Sequence, residues 1–295
     1  MVKEIKAKTI LIKVKNPNLW FGIDYYINIY RGCMHRCIYC DSRSECYQVN
    51  NFDHDIEVKV NAIDLLRKEL ASKKDKLVIG FGAMSDPYIP IEKEYQLTRK
   101  ALELLKEFNQ GAFILTKSDL VLRDLDLLTD INNRYSAKVA FTITTYDDEV
   151  AKKIEPYSPL PSERYKAMRI LANAGIEVGI MMSPLLPFIL NNEDNIRNII
   201  KQAKENGASF IIPGFGVTLR DRQREYYYQQ LDQHYPGLKD KYIKQYGNKY
   251  FCQINNIDRI KQLFYLIANE YGLSTDMPTH STKNSCQQLT IFDII

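Results

Sequence analysis

No run of the 295 residues approaches the roughly eighteen consecutive apolar residues of a membrane span. A helical membrane protein is therefore not expected. Residues 1–15 alternate lysine with aliphatic side chains and lack the unbroken apolar stretch of a secretory leader, which predicts a cytoplasmic protein. Neither sign of charge dominates: 40 basic against 36 acidic residues leave +4, far from a dedicated nucleic-acid arm. Such a charge permits nucleic acid without announcing it. The six cysteines form no paired pattern, which excludes the disulfide framework of small secreted chains and fits a reducing interior. No low-complexity segment interrupts the chain. With 45% hydrophobic content it can bury one large core, so one main domain is the default.

What the chain does have is a tight cysteine triplet. Cys33, Cys37 and Cys40 stand in Tyr30-Arg31-Gly32-Cys33-Met34-His35-Arg36-Cys37-Ile38-Tyr39-Cys40, directly after a stretch of strand-forming residues. Iron–sulfur cubes normally take four thiolates, so a C-x3-C-x2-C loop binds three irons and leaves the fourth open to another ligand. Gly32 would let the backbone come close to a bound group. A structural zinc site is the blander alternative, with His35 or Cys46 as fourth ligand, but such sites usually need a second ligand pair further on. None follows, since Cys252 and Cys286 stand alone.

After the triplet, short β-like runs alternate with amphipathic helical stretches, the pattern of βα units around a parallel sheet. Candidate strands cover 26–30, 77–81, 112–116, 138–144, 177–182 and 210–213; candidate helices cover 61–72, 97–108, 119–128, 162–174 and 193–206. Ser162 is read as a helix cap, with Glu163 in the first turn, and Gly175 and Gly207 as left-handed terminators. Six strands predict an α/β fold, a partial TIM-like barrel, with the chemistry at the strands' carboxyl ends. The expected division is a core barrel with its lead-in over 1–219, a helical extension over 220–273 with a final helix near 257–272, and a tail over 274–295.

The triplet, with Tyr39 just before its last cysteine, resembles the signature of the radical S-adenosylmethionine superfamily. The resemblance implies a (β/α)6 barrel and a [4Fe-4S] cluster on Cys33, Cys37 and Cys40. It also implies S-adenosylmethionine chelated at the open iron, and one-electron cleavage of its sulfonium to a 5′-deoxyadenosyl radical. Further runs resemble the spore photoproduct lyase-like, or SplB-like, branch: Asn16-Pro17 with Trp20, Ser85-Asp86, Lys117, a Thr-Thr pair before Glu155-Pro156, and Arg164. On that resemblance Ser85 and Lys117 lie around the cofactor, and Tyr39, Gly82, Asp86, Thr144 and Glu155 are further cofactor candidates. The branch places a hydrogen-donating cysteine two residues before the loop serine, where this chain has Ala83, which has no labile hydrogen. Cys46 and Tyr88 are the nearest substitutes.

The expected activity is that of a radical enzyme, lyase-like, with DNA or a nucleotide as first candidate substrate, a peptide or small metabolite as runner-up, and a non-catalytic, metal-stapled nucleic-acid-binding module as a different class. A reductant such as flavodoxin or ferredoxin would supply the electron. Near the C-terminus, Gln288, Leu289, Ile291 and Phe292 in Gln288-Leu289-Thr290-Ile291-Phe292 resemble the short peptide that docks on the bacterial sliding clamp, or else fold back on the barrel.

Overall fold

The computed structural model describes residues 1–17, 20–49 and 51–280. In chain order the strands are β1 (Val2–Ile5), β2 (Ile12–Lys13), β3 (Tyr25–Ile27), β4 (Tyr30–Arg31), β5 (Ile56–Lys59), β6 (Val78–Phe81), β7 (Gly111–Thr116), β8 (Ala137–Thr142), β9 (Glu177–Met182), β10 (Phe210–Pro213), β11 (Gly216–Thr218) and β12 (Phe251–Gln253). The helices are α1 (Ala62–Ala71), α2 (Glu92–Tyr95), α3 (Leu97–Glu107), α4 (Leu125–Arg134), α5 (Asp148–Ile154), α6 (Pro161–Asn173), α7 (Glu193–Glu205), α8 (Asp221–His234), α9 (Leu238–Tyr246) and α10 (Ile257–Glu270). The main sheet runs β10-β9-β8-β7-β6-β3-β2, with every pair parallel except β2 against β3. Six parallel strands thus form an open barrel, as the alternation predicts. No helix among the described residues is long and apolar enough to cross a membrane.

Strand residues divide between two apolar compartments with a period of two. In β7, Ala112 and Ile114 join the helix-side core, whereas Phe113 points into the barrel. The alternation is the pleat itself. The barrel's amino-terminal floor is filled by Phe21, Ile23, Phe113 and Phe210, with Phe21 and Phe113 stacked at 4.5 Å between centroids. Gly80 and Gly179 make this filling possible, because a Cβ there would run into Ile23 and the Phe210 ring respectively.

Several elements differ from the sequence reading for local reasons. The expected strand 26–30 breaks after Ile27, and β4 turns away to pair antiparallel with β5, which pairs with β1. The cysteine loop therefore leaves a small accessory sheet. The helix expected over 119–128 begins as a 3-10 turn, Asp119–Asp124, and becomes α-helical only in α4. Ser162 does not cap α6. Pro161 takes the first helical position, where its missing N–H costs nothing, so the cap is Leu160, whose N–H donates to Glu163 at 2.7 Å. Gly175 and Gly207 are left-handed, as expected.

The C-terminal region contributes α8, α9, α10 and β12, and β12 pairs with β11 across the expected boundary at 219. Residues 274–280, expected in a tail, pack on the floor. Ser274 bridges Phe210, and the His280 ring hydrogen-bonds Ser136 at 2.8 Å and the Phe21 carbonyl at 3.0 Å. Cys286 and the clamp-like residues Gln288, Leu289, Ile291 and Phe292 lie outside the described residues.

Candidate active site

The cysteine loop is fastened to the barrel by its backbone: Cys33 N–H donates to Phe52 O at 3.2 Å, and Ile38 N–H donates to Ile154 O at 2.9 Å. Gly32 has φ +80°, and a Cβ there would press on the carbonyls of Asp55 and Phe52. Its role is to seat the loop on residues 52–55, which corrects the expectation that it opens a path to a bound group. Cys33, Cys37 and Cys40 then line one cavity of about 370 Å³ at the carboxyl ends of the strands. That volume falls within the ~300–1,000 Å³ typical of small-molecule sites. The opposite walls come from Gly82 to Asp86 after β6, Thr116 and Lys117 at the end of β7, Thr142 of β8, Ser183 and Pro184 after β9, Gly214, and Gly216 to Thr218.

Burial sets the electrostatics. It raises the Cys33 thiol above its ordinary value, helped by Asp86, and raises Cys40 as well, with Arg43 opposing. Cys37 is pushed up to about 11, with Lys117 opposing. Three thiols whose charged forms are penalised by desolvation become good thiolates only when cationic metal shares the cavity, so the donor set fits an iron–sulfur group. Among the described residues, no three His, Cys, Asp or Glu side chains come close enough together to hold a single ion. The three cysteines share the lining of one cavity.

Tyr39, Gly82, Ser85, Asp86 and Lys117 all line this cavity. The Ser85 hydroxyl donates to Gly32 O at 2.6 Å, tying the β6 loop to the cysteine loop. Asp86 braces neighbouring loops: it accepts from Thr116 Oγ1 and Lys117 N–H, each at 2.7 Å, and from Tyr88 N–H at 2.9 Å. The Lys117 ammonium stands 5.7 Å from the Tyr39 ring centroid, within cation–π range. Burial disfavours its charge, but Cys37 and Glu155 outweigh this and the pKa is raised.

Thr144 and Glu155 are buried behind the cavity wall and do not line it. Glu155 accepts from the Tyr39 hydroxyl and pairs with Arg164 at 2.5 Å; Thr144 Oγ1 donates to it at 3.4 Å. Arg164, with 0% exposure, also donates to Thr142 O and Pro159 O, each at 2.8 Å. Desolvation works against the Glu155 charge, yet Arg164 and Lys117 hold its carboxyl below the usual range. The expectation that Glu155 and Thr144 meet the cofactor is thereby corrected: this buried pair anchors Tyr39. Neither proposed hydrogen donor reaches the cavity. Tyr88 is buried elsewhere, donating to Asp124 at 3.1 Å, and the Cys46 sulfur lies outside, 3.2 Å from Arg220. Ala83 itself lines the wall.

Sequence reasoning missed Met84, Met181, Gly214, Gly216, Phe251 and the first turn of α8. Gly214 and Gly216 flank Phe215 at the end of the last barrel strand, a glycine signal at the carboxyl edge that was available. Phe251 reaches the cavity, and Gln223 of α8 reaches the Tyr39 carbonyl of the cysteine loop, through tertiary packing that no local pattern announces.

A family model described as the Radical SAM superfamily matches residues 27–203. An uncharacterized protein of Methanocaldococcus jannaschii is 37% identical over 195 residues, covering 64% of this chain and 71% of its own length. An uncharacterized protein of Mycobacterium tuberculosis is 29% identical over 279 residues, covering 92% and 82%. Among solved structures, spore photoproduct lyase complexed with dinucleoside spore photoproduct superposes with a TM-score of 0.67 at 17% identity, covering 93% of this chain and 81% of that one.

Proposed function

Because the chain belongs to the radical SAM superfamily, we infer that it is an enzyme that cleaves S-adenosylmethionine reductively at a [4Fe-4S] cluster and turns the resulting radical on DNA or a nucleotide. The observation that carries this reading is the placement of three thiols, Cys37 buried and Cys33 and Cys40 partly buried, on one cavity at the carboxyl ends of a parallel barrel, facing Ser85 and Lys117. Cys33, Cys37 and Cys40 would hold the cluster. When bound, cluster and cofactor supply a one-electron cleavage that yields a carbon-centred radical, chemistry the protein's own side chains do not have.

The chain's contribution is placement and exclusion of water. Lys117 brings a positive charge to the cavity, suited to a carboxylate, while Ala83 adds only a methyl to the lining and Gly82 lets Leu115 O approach closely. Met84, Leu115 and Met181 present apolar surface, which keeps water from a reactive radical. Nucleic acid is the substrate to test first because the fold is shared with an enzyme described in complex with a dinucleoside photoproduct.

The test is 5′-deoxyadenosine release by anaerobically reconstituted, reduced protein, measured alone and with ultraviolet-damaged DNA, undamaged DNA and short peptides. Release stimulated by DNA supports the reading. Release indifferent to DNA but stimulated by peptide moves the substrate to that class, and a zinc-bearing protein that releases none leaves only the stapled binding module.

A further inference from the structure

Helix α8 reaches back from the C-terminal region to the cysteine loop, and its first turn carries an arrangement that helix formation alone does not require. Gln223 has 0% exposure. Its Nε2 donates to the Tyr39 carbonyl at 2.9 Å and to the Thr218 carbonyl at 2.6 Å, and its Oε1 accepts from Arg220 N–H at 2.9 Å. Both amide hydrogens and the amide oxygen are thus engaged. Tyr39 lies between the second and third cysteines, and Thr218 lies on the facing cavity wall. One buried amide therefore ties the loop to that wall.

The start of α8, from Arg220 to Tyr226, also grips the residues just after the cysteine loop. Arg220 pairs with Asp41 at 3.2 Å, Asp221 accepts from Glu45 N–H at 3.0 Å, and the Tyr226 ring lies 3.8 Å under the Arg43 guanidinium. Tyr39 is also held at its other end, where its hydroxyl meets the Glu155–Arg164 pair. A residue fixed at carbonyl and hydroxyl cannot swing, and Cys40, bonded to it, inherits that fixity.

We propose that Gln223 is a positioning residue for the cluster: by clamping the Tyr39 carbonyl to Thr218 it sets where the Cys37 and Cys40 thiols point. The inference rests on the cluster reading above. Outer partners that orient ligands are worth about 10–100-fold in metal affinity when removed. Gln223→Met keeps the length of the side chain while deleting both donors, and so separates the clamp from simple packing.

The experiment compares wild type, Gln223→Met and Leu231→Ala after anaerobic reconstitution with iron and sulfide. Leu231 is a fully buried α8 residue with no bond to the loop. Each protein is assayed for iron loss to a chelator, for the EPR signal of the reduced cluster and for Tm. The clamp predicts that Gln223→Met loses iron about tenfold faster than wild type, with a shifted EPR signal, while Leu231→Ala lowers Tm yet loses iron at the wild-type rate. Wild-type iron loss and a superimposable signal in Gln223→Met overturn it, as does equally fast loss from Leu231→Ala. Should Gln223→Met fail to fold, Gln223→Glu decides, because it keeps the shape and the acceptor for Arg220 N–H while removing the donating amide: faster iron loss supports the clamp, and none overturns it. A wild-type chain that takes up no iron sinks the cluster reading along with the clamp, whereas an unaltered Gln223→Met beside an iron-bearing wild type sinks the clamp alone.

Discussion

The two ends of the barrel are made from the same strands and do opposite things. At the amino-terminal floor, Phe21, Phe113 and Phe210 fill the interior, and glycines at 80 and 179 are spent on making room for neighbours. At the carboxyl mouth the inward positions become Leu115, Met181 and Thr142, glycines at 82, 214 and 216 let Leu115 O, Ser183 and the β12 backbone approach closely, and a cavity of about 370 Å³ opens. Charged and polar side chains meet around that mouth: Ser85, Glu155 and Arg164 are buried there, and Asp86 and Lys117 are partly buried. The floor gains stability from close packing. The mouth carries desolvated charges held by one another and by a few neutral hydrogen-bond partners, an arrangement that stability alone does not favour.

Perturbations should therefore separate the ends. The largest effect falls on the thiols: Cys33→Ala, Cys37→Ala or Cys40→Ala each predicts loss of the cluster and a fall of cofactor cleavage to background, with little change in the Tm of the metal-free protein. Iron content and 5′-deoxyadenosine assays check this, and an alanine variant that keeps its iron would break the assignment of that cysteine. Next comes Arg164→Met, which leaves the Glu155 carboxylate buried without its partner; the expected cost is about 3–5 kcal/mol, read by denaturant unfolding, together with weakened cluster binding because Tyr39 loses its anchor. A mild effect on both readouts would mean that Glu155 finds water or protonates cheaply.

The floor should respond in stability only. Gly179→Ala forces a methyl into the Phe210 ring and is expected to cost about 1–3 kcal/mol, while iron uptake per folded chain stays at the wild-type level. Loss of iron there would erase the distinction between the ends. The smallest effect concerns His280. Burial lowers its pKa from 6.5 to about 4, with Lys138 nearby acting in the same direction. The folded value is the depressed one, so its contribution is complete above about pH 6.5 and is lost as the pH falls toward 4. A His280→Asn variant should show a flatter stability profile over that window, measured by unfolding at successive pH values.

How much of this was legible in the sequence follows the same division. The barrel strands from β6 onward could be read because their apolar runs are bounded by turns and spaced by amphipathic helices. The triplet could be read because its ligands are neighbours in the chain. What escaped was assembled at a distance. The family resemblance makes Glu155 and Thr144 cofactor candidates at and after the end of the expected strand 138–144, yet Glu155 turns inward to meet the buried Arg164. Tyr88 sits in a loop that lines the cavity, but its side chain points to buried Asp124. Gln223 had no signal at all, since an amide in a polar stretch looks solvated until α8 folds against the cysteine loop. The strand before the triplet was overextended because nothing local shows that β4 pairs with β5 rather than continuing β3.

The most direct test of the central claim is the 5′-deoxyadenosine formed per reduced cluster by wild type and by a Cys33/Cys37/Cys40→Ala triple variant, each reconstituted anaerobically and supplied with S-adenosylmethionine and dithionite. The account predicts a brown, iron- and sulfide-bearing wild type that releases the nucleoside, beside a colourless variant that releases none. Wild-type protein lacking iron and sulfide, or a triple variant that still cleaves the cofactor, would contradict it.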